Sequence, residues 1–219
     1  MAGPEKAALF DALASVAKAM ANGRRAELID VLAQGERSVD ALASEVAQST
    51  ANTSQHLQVL ARAGLVRSRR DGNRVLYRLA SDAVLRLWTS LRDVAADHVA
   101  GIDRLAADYL GDRAGLEQVS RRELARRLGD VVVWDVRPAV EFEAGHVPGA
   151  VSVPPEEVRR RLRDLPEDVE VVAYCRGPFC VYADDAVRQL AKNGRRAARL
   201  EGGFPDWRLA GLPVAVGAE

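Results

Sequence analysis

Apolar residues between Glu5 and about Leu110 recur at helical spacing almost throughout, with one short alternating segment breaking the period. Beyond about Leu116 the pattern changes. Val-rich runs at Val131–Val136, Val151–Val153 and Val169–Tyr174 alternate with amphipathic stretches, the pattern of βα units on a mainly parallel sheet. The change falls at Gly111-Asp112-Arg113-Ala114-Gly115, which is polar and bracketed by glycine. The pattern therefore predicts a mostly α domain with a small β-hairpin over residues 1–110, a linker over 111–115, and an α/β domain over 116–219. No internal repeat or low-complexity tract is visible.

In the first domain Asn22 caps a helix from Arg24 to about Leu32, and Gln34-Gly35 stops it. Ser38 caps a short helix, Val39 to Val46. After the turn Ala47-Gln48, Ser49 or Thr50 opens a third helix that turns Leu57, Leu60 and Ala61 inward and stops at Gly64. Two short helices joined by a tight turn make a helix-turn-helix. The start of the third helix carries Thr50, Asn52, Thr53, Ser54, Gln55 and His56, donors and acceptors suited to base edges or phosphates in a major groove. Leu65–Arg67 and Val75–Leu79 then alternate as two strands around Arg70-Asp71-Gly72-Asn73. Arg69, Arg70, Asn73 and Arg74 gather at the tip of this hairpin, where arginines suit phosphates or a minor groove. The same patterns also occur in proteins that bind no DNA, as solvated faces.

Composition narrows the field. The chain has 219 residues, 48% of them hydrophobic, and 31 basic against 31 acidic side chains, so net charge alone names no partner. The distribution does more: Arg62, Arg67, Arg69, Arg70, Arg74 and Arg78 crowd one short stretch opposed only by Asp71. Two cysteines are too few for a disulfide-stapled secreted scaffold, and no apolar run approaches the roughly 18 residues of a membrane span. The start, Met1 to Lys6, shows no basic segment followed by an apolar one. A cytoplasmic, reducing compartment without membrane attachment is expected.

Val84, Trp88, Leu91, Ala95, His98, Ile102, Leu105 and Tyr109 repeat at alternating steps of four and three, a seam that wants a partner helix. Trp88, Leu91, His98 and Ile102 are its candidate dimer contacts. Packing within its own domain is the competing reading, with His98 an ordinary interface histidine. A metal site from His98, Asp93 and Asp97 would lack the three or four good ligands that such sites usually use.

In the second domain Ser120-Arg121-Arg122-Glu123 is a capping box opening a helix to Leu128, ahead of a strand at Val131–Val136. A later strand ends at Tyr174. Cys175-Arg176-Gly177-Pro178-Phe179-Cys180 then leads into an amphipathic helix, Tyr182 to Asn193, stopped by Gly194. This places Cys175 at the carboxyl end of a buried strand and at a helix N-terminus, where backbone N–H groups and the helix dipole stabilise a thiolate or a persulfide sulfur. A cysteine can also be simple packing.

The first domain resembles the ArsR/SmtB winged-helix repressors through Ser54-Gln55-His56-Leu57-Gln58-Val59-Leu60, Ala63-Gly64-Leu65-Val66 and Arg70-Asp71-Gly72-Asn73-Arg74-Val75-Leu76-Tyr77. The resemblance, over about residues 7 to 100, implies a homodimer that binds palindromic double-stranded operator DNA and leaves it when an inducer binds. Many members carry a Cys-Val-Cys metal site where this chain has Ser38-Val39-Asp40, so no resident metal or other cofactor is expected. The second domain is similar to rhodanese sulfurtransferases through Asp135-Val136-Arg137-Pro138-Ala139-Val140-Glu141-Phe142, Gly145-His146-Val147-Pro148-Gly149-Ala150, Gly202-Gly203-Phe204-Pro205-Asp206-Trp207 and Gly211-Leu212-Pro213-Val214. That resemblance, over about residues 117 to 216, implies a persulfide on Cys175 cradled by the amides of the loop from Arg176 to Val181, which comprises Arg176, Gly177, Pro178, Phe179, Cys180 and Val181. It also implies a structural motif of Asp135 and Arg137, with Arg137 paired to Glu141, and a structural rather than catalytic His146. Thiosulfate-using relatives often have a basic residue where this chain has Cys180. Cys180 is then either inert packing or a resolving thiol that attacks a Cys175 persulfide. Three functions follow: a regulator, most naturally a repressor, that senses sulfane sulfur supplied as polysulfide, persulfide or thiosulfate; a sulfurtransferase tethered to DNA; or a metal-responsive repressor.

Overall fold

The computed structural model describes residues 3–217; Met1 and Ala2, part of the stretch read for a leader, and the extreme ends of both expected domains lie outside them. The chain forms two compact units that divide at Leu91/Arg92.

The first unit opens with α1 (Pro4–Met20) and α2 (Gly23–Leu32), followed by β1 (Arg37–Ser38), α3 (Val39–Glu45), α4 (Thr50–Arg62), β2 (Val66–Asp71) and β3 (Arg74–Leu79). Each cap has a local cause. Asn22 Oδ1, Ser38 Oγ and Ser49 Oγ accept from the backbone N–H groups of Arg25, Ala41 and Asn52, each at 3.2 Å, so Ser49 rather than Thr50 caps α4. Leu28, Ile29, Leu42, Leu57, Leu60 and Leu85 are fully buried and form the centre of the unit. β2 and β3 pair antiparallel up to Asp71 opposite Arg74, and β1 adds a third strand on the other side of β3.

α5 (Asp82–His98) begins in the first unit and ends in the second. The expected seam is not one continuous helix. Gly101 adopts φ +84°, a left-handed conformation that suits glycine, and a separate α6 (Ile102–Leu110) starts there. Because α6 is itself amphipathic, the four-and-three spacing runs across the break undisturbed.

In the second unit β4 (Gln118–Val119), β5 (Val132–Asp135), β6 (Val151–Ser152), β7 (Val171–Tyr174) and β8 (Ala197–Leu200) form a parallel sheet in the order β4-β8-β7-β5-β6. The connections carry α7 (Arg121–Arg126), α8 (Ala139–Ala144), a short 3-10 turn (Pro155–Glu157), α9 (Val158–Asp164) and α10 (Val181–Lys192); α11 (Phe204–Leu209) follows β8. Strand alternation divides the core. Val172 and Tyr174 face a cluster with Phe142, Phe204 and Trp207, whereas Val171, Ala173 and Cys175 face one with Trp134, Val187 and Leu190. Both faces of the central strand β7 are covered, which is why it reads as a continuous apolar run.

Candidate functional site

Two surfaces carry candidate chemistry. On the first, α4 leaves Thr50, Asn52 and Gln55 exposed and Ser54 and His56 half-buried. Thr53 is fully buried, which corrects its placement among groups able to touch DNA. Thr53, Leu57 and Leu60 form the inward stripe at i, i+4, i+7, and Ala61, expected there, is exposed. At the wing, Arg70, Asn73 and Arg74 are exposed. Arg69 is turned onto Glu36, donating through Nε at 2.9 and 3.0 Å and through Nη2 at 2.5 Å, and this carboxylate raises its pKa from the ordinary arginine value.

The same unit bears an apolar face. Leu9, Phe10 and Leu13 of α1 and Leu87 and Leu91 of α5 are exposed, and a groove of about 310 Å³ is lined by Leu13, Val16, Ala17, Met20, Ala21, Leu87 and Leu91. The sequence reading missed the part of α1. Of the expected seam residues, Leu91 and His98 are exposed and Ile102 is half-buried. Trp88 packs into its own unit, its Nε1–H donating to Asp30 Oδ1 at 2.8 Å.

The second surface is the loop after β7. Cys175 is buried at the end of the strand, and its Sγ is bonded to that of Cys180, the N-cap residue of α10, with Cα atoms 6.2 Å apart. Arg176 turns inward to the buried Glu141, donating through Nε at 3.0 and 3.1 Å and through Nη2 at 2.6 Å. Gly177 and Pro178 are half-buried and Phe179 is exposed. The Cys180 N–H donates to Gly177 O at 3.2 Å, so this amide closes the loop rather than cradling the sulfur. Gly203 packs against the loop so closely that a Cβ there would collide with the backbone of Arg176 and Gly177, which explains glycine at that position.

Beneath the loop, Asp135 receives Arg137 Nε at 2.9 and 3.1 Å and Nη2 at 2.5 Å, and the Tyr174 hydroxyl donates to its Oδ2 at 2.6 Å. Arg137 also donates to Gly145 O at 2.7 Å; burial works to lower its pKa, but the hydrogen bond and charge of Asp135, with smaller contributions from Tyr174 and Glu141, outweigh burial and raise it. Burial first, then Asp135, pushes the Tyr174 hydroxyl well above the ordinary tyrosine value. His146 is buried, stacks on Phe142 with ring centroids 3.7 Å apart, and its Nδ1 lies 2.9 Å from Phe142 O. It holds the turn before β6.

Sequence reading also missed Asp184, fully buried on the first turn of α10 and shared by Arg113 and Arg199. The signal was present: a carboxylate on the inward face otherwise built from Ala183, Ala186, Val187 and Leu190. Among the described residues no group of three or more His, Cys, Asp or Glu is placed to hold a metal ion, and no helix is long and apolar enough to cross a membrane.

The family model for bacterial regulatory proteins of the arsR family matches residues 22–68, and the model for a rhodanese-like domain matches residues 120–210. The HTH-type transcriptional regulator Rv0324 of Mycobacterium tuberculosis is 47% identical over 215 residues, which span 97% of this chain and 94% of that protein. The chain belongs to the arsR-type transcriptional regulators that carry a rhodanese-like domain. Partial relatives match each half of such a regulator separately. A protein of Allochromatium vinosum named Sulfurtransferase is 31% identical over 105 residues, 46% of this chain and 96% of its own. The homodimeric winged helix-turn-helix DNA-binding domain of Mb0332 from Mycobacterium bovis is 46% identical over 45% of this chain and 94% of its own, with a TM-score of 0.42.

Proposed function

We propose that this regulator works as a homodimer that binds operator DNA through α4 and the β2–β3 wing, and that the sulfur state of Cys175 sets its affinity. The observation that carries the reading is the Cys175–Cys180 bond at the start of α10, in a chain whose other half is a DNA-reading module without thiols. The paired apolar faces of α1 and α5 support the dimer, since soluble monomers rarely expose patches of that kind.

The chemistry balances without a further oxidant. The Cys175 thiolate attacks the outer sulfur of a persulfide or polysulfide, R–S–SH, forming Cys175–S–SH and releasing R–S⁻. The Cys180 thiolate then attacks Cys175 Sγ, the disulfide forms, and the outer sulfur leaves as HS⁻. Two thiols are oxidised and one sulfane sulfur is reduced. Adding polysulfide to the reduced protein is expected to place one sulfur on Cys175 by mass spectrometry, followed by the disulfide and one hydrosulfide per chain. Cys180→Ser stops at the persulfide, and Cys175→Ser gains nothing. Equal labelling of Cys175→Ser would sink the assignment of Cys175 as the reacting residue.

A second reading, a sulfurtransferase held on DNA, is favoured by the relative named Sulfurtransferase. It expects many turnovers from thiosulfate to cyanide above a Cys175→Ser control. The sensing reading expects a stoichiometric event, because attack by Cys180 ends in a disulfide that needs a reductant.

A further inference from the structure

The disulfide and the persulfide cannot share one loop geometry. In the disulfide the position bonded to Cys175 Sγ holds Cys180 Sγ; in the persulfide the same position holds the added sulfur, and Cys180 must stand away from it. Cys180 is the N-cap of α10, a helix whose N-terminus has no side-chain cap of its own. One helical turn further on, on the buried face, is Asp184.

Asp184 is the meeting point of two cations with different anchors. Arg199 Nη1 donates to its Oδ1 at 3.0 Å from β8, fixed by pairing on both sides. Arg113 Nε donates to its Oδ2 at 2.5 Å from the irregular segment between α6 and β4. The next turn of α10 grips the same segment again, because Arg188 Nη2 donates to Leu110 O at 3.3 Å and to Asp112 O at 2.6 Å. A carboxylate buried this completely needs its charge compensated wherever the helix turn goes. Arg113 fits the moving half of the pair because it comes from an irregular segment, whereas Arg199 is held in β8 between two paired strands; each arginine buries one nitrogen, Arg113 Nη2 and Arg199 Nε, without a hydrogen-bond partner.

We propose that Arg113 is a positioning residue that transmits the sulfur state of the Cys175–Cys180 loop, through Asp184, to the segment leading back to α6 and so to DNA affinity. The inference rests on the sensing function proposed above. When Cys180 shifts, the first turn of α10 shifts with it, and Asp184 carries Arg113 along or gives it up.

The test uses the full-length protein and a duplex from its own upstream DNA, with affinities measured by fluorescence anisotropy in the reduced and polysulfide-treated states. Wild type is expected to change affinity by roughly 5–150-fold between states, the usual size of coupling between sites. Arg113→Gln is expected to form the persulfide and the disulfide to the wild-type extent by mass spectrometry, with its affinity ratio collapsing towards one. Arg113→Lys, which keeps the charge and one donor, is expected to retain part of the ratio, and serves if the glutamine variant fails to fold. A wild-type ratio in Arg113→Gln, or in Arg113→Lys and Asp184→Asn together, overturns the inference and leaves the proposed sensing intact. A ratio of one in wild type itself overturns the sensing reading instead.

Discussion

Tyr174 shows how one side chain ties the strand under the cysteine loop to the Asp135–Arg137 pair. Its hydroxyl donates to Asp135 and accepts from the Val147 N–H at 3.1 Å. With its pKa raised in the folded state, Tyr174 holds its proton more tightly folded than unfolded. The contribution to stability is complete below the ordinary tyrosine pKa of about 10 and declines as pH rises above it. Tyr174→Phe is expected to lower stability at neutral pH by about 1–3 kcal/mol, leaving two buried groups short of a partner, and to abolish that alkaline decline. Urea unfolding at neutral pH and above the tyrosine range checks both effects, and an unchanged profile would contradict them. Ala47, in the turn of the helix-turn-helix, has φ +49°, where a Cβ is unfavourable. Ala47→Gly is therefore expected to stabilise the first unit by about 0.5–1 kcal/mol, measured by the same unfolding experiment.

At the scale of elements, the apolar faces of α1 and α5 make the dimer testable. Leu13→Glu or Leu91→Glu is expected to shift the protein to monomer in sedimentation and to weaken DNA binding; a persistent dimer would move the interface elsewhere. The wing has a different signature. If Arg70 and Arg74 touch phosphates, replacing both with Ala lowers the slope of log affinity against log salt by about 0.9 for each phosphate no longer neutralised. The caps of α2 and α3, the hairpin and the parallel sheet were legible in the sequence because each rests on local chemistry or on a period spanning several residues. The two-residue strands β1 and β4 have no period to read, and β8 carries the charged Arg199 within it. The break at Gly101 was masked by a seam whose spacing continues through it. Thr53 was misplaced by rotation: an inward stripe set through Ala61 turns a buried threonine towards DNA, whereas the packing selects Thr53, Leu57 and Leu60. Cys175 was legible from its place between strand and helix, but the partners of Asp184 were not, since residues 71 and 15 positions away meet there only through the fold.

For the whole molecule, the central claim is that one chain couples DNA affinity to sulfur chemistry. On the proposed reading, electrostatics at α4 and the wing supplies binding, and the loop at α10 supplies two covalent states, a disulfide and a persulfide, that differ in shape. An inducer shifts a regulator only as far as those states differ in affinity for DNA. The direct measurement is fluorescence anisotropy of the full-length protein on its own upstream DNA at fixed salt, reduced and after polysulfide, for wild type, Cys175→Ser and Cys180→Ser. Wild type is expected to lose affinity on treatment, Cys175→Ser to bind equally well before and after, and Cys180→Ser to differ from wild type in the treated state only. Equal affinity in both states of wild type, or an undiminished response in Cys175→Ser, would contradict the account.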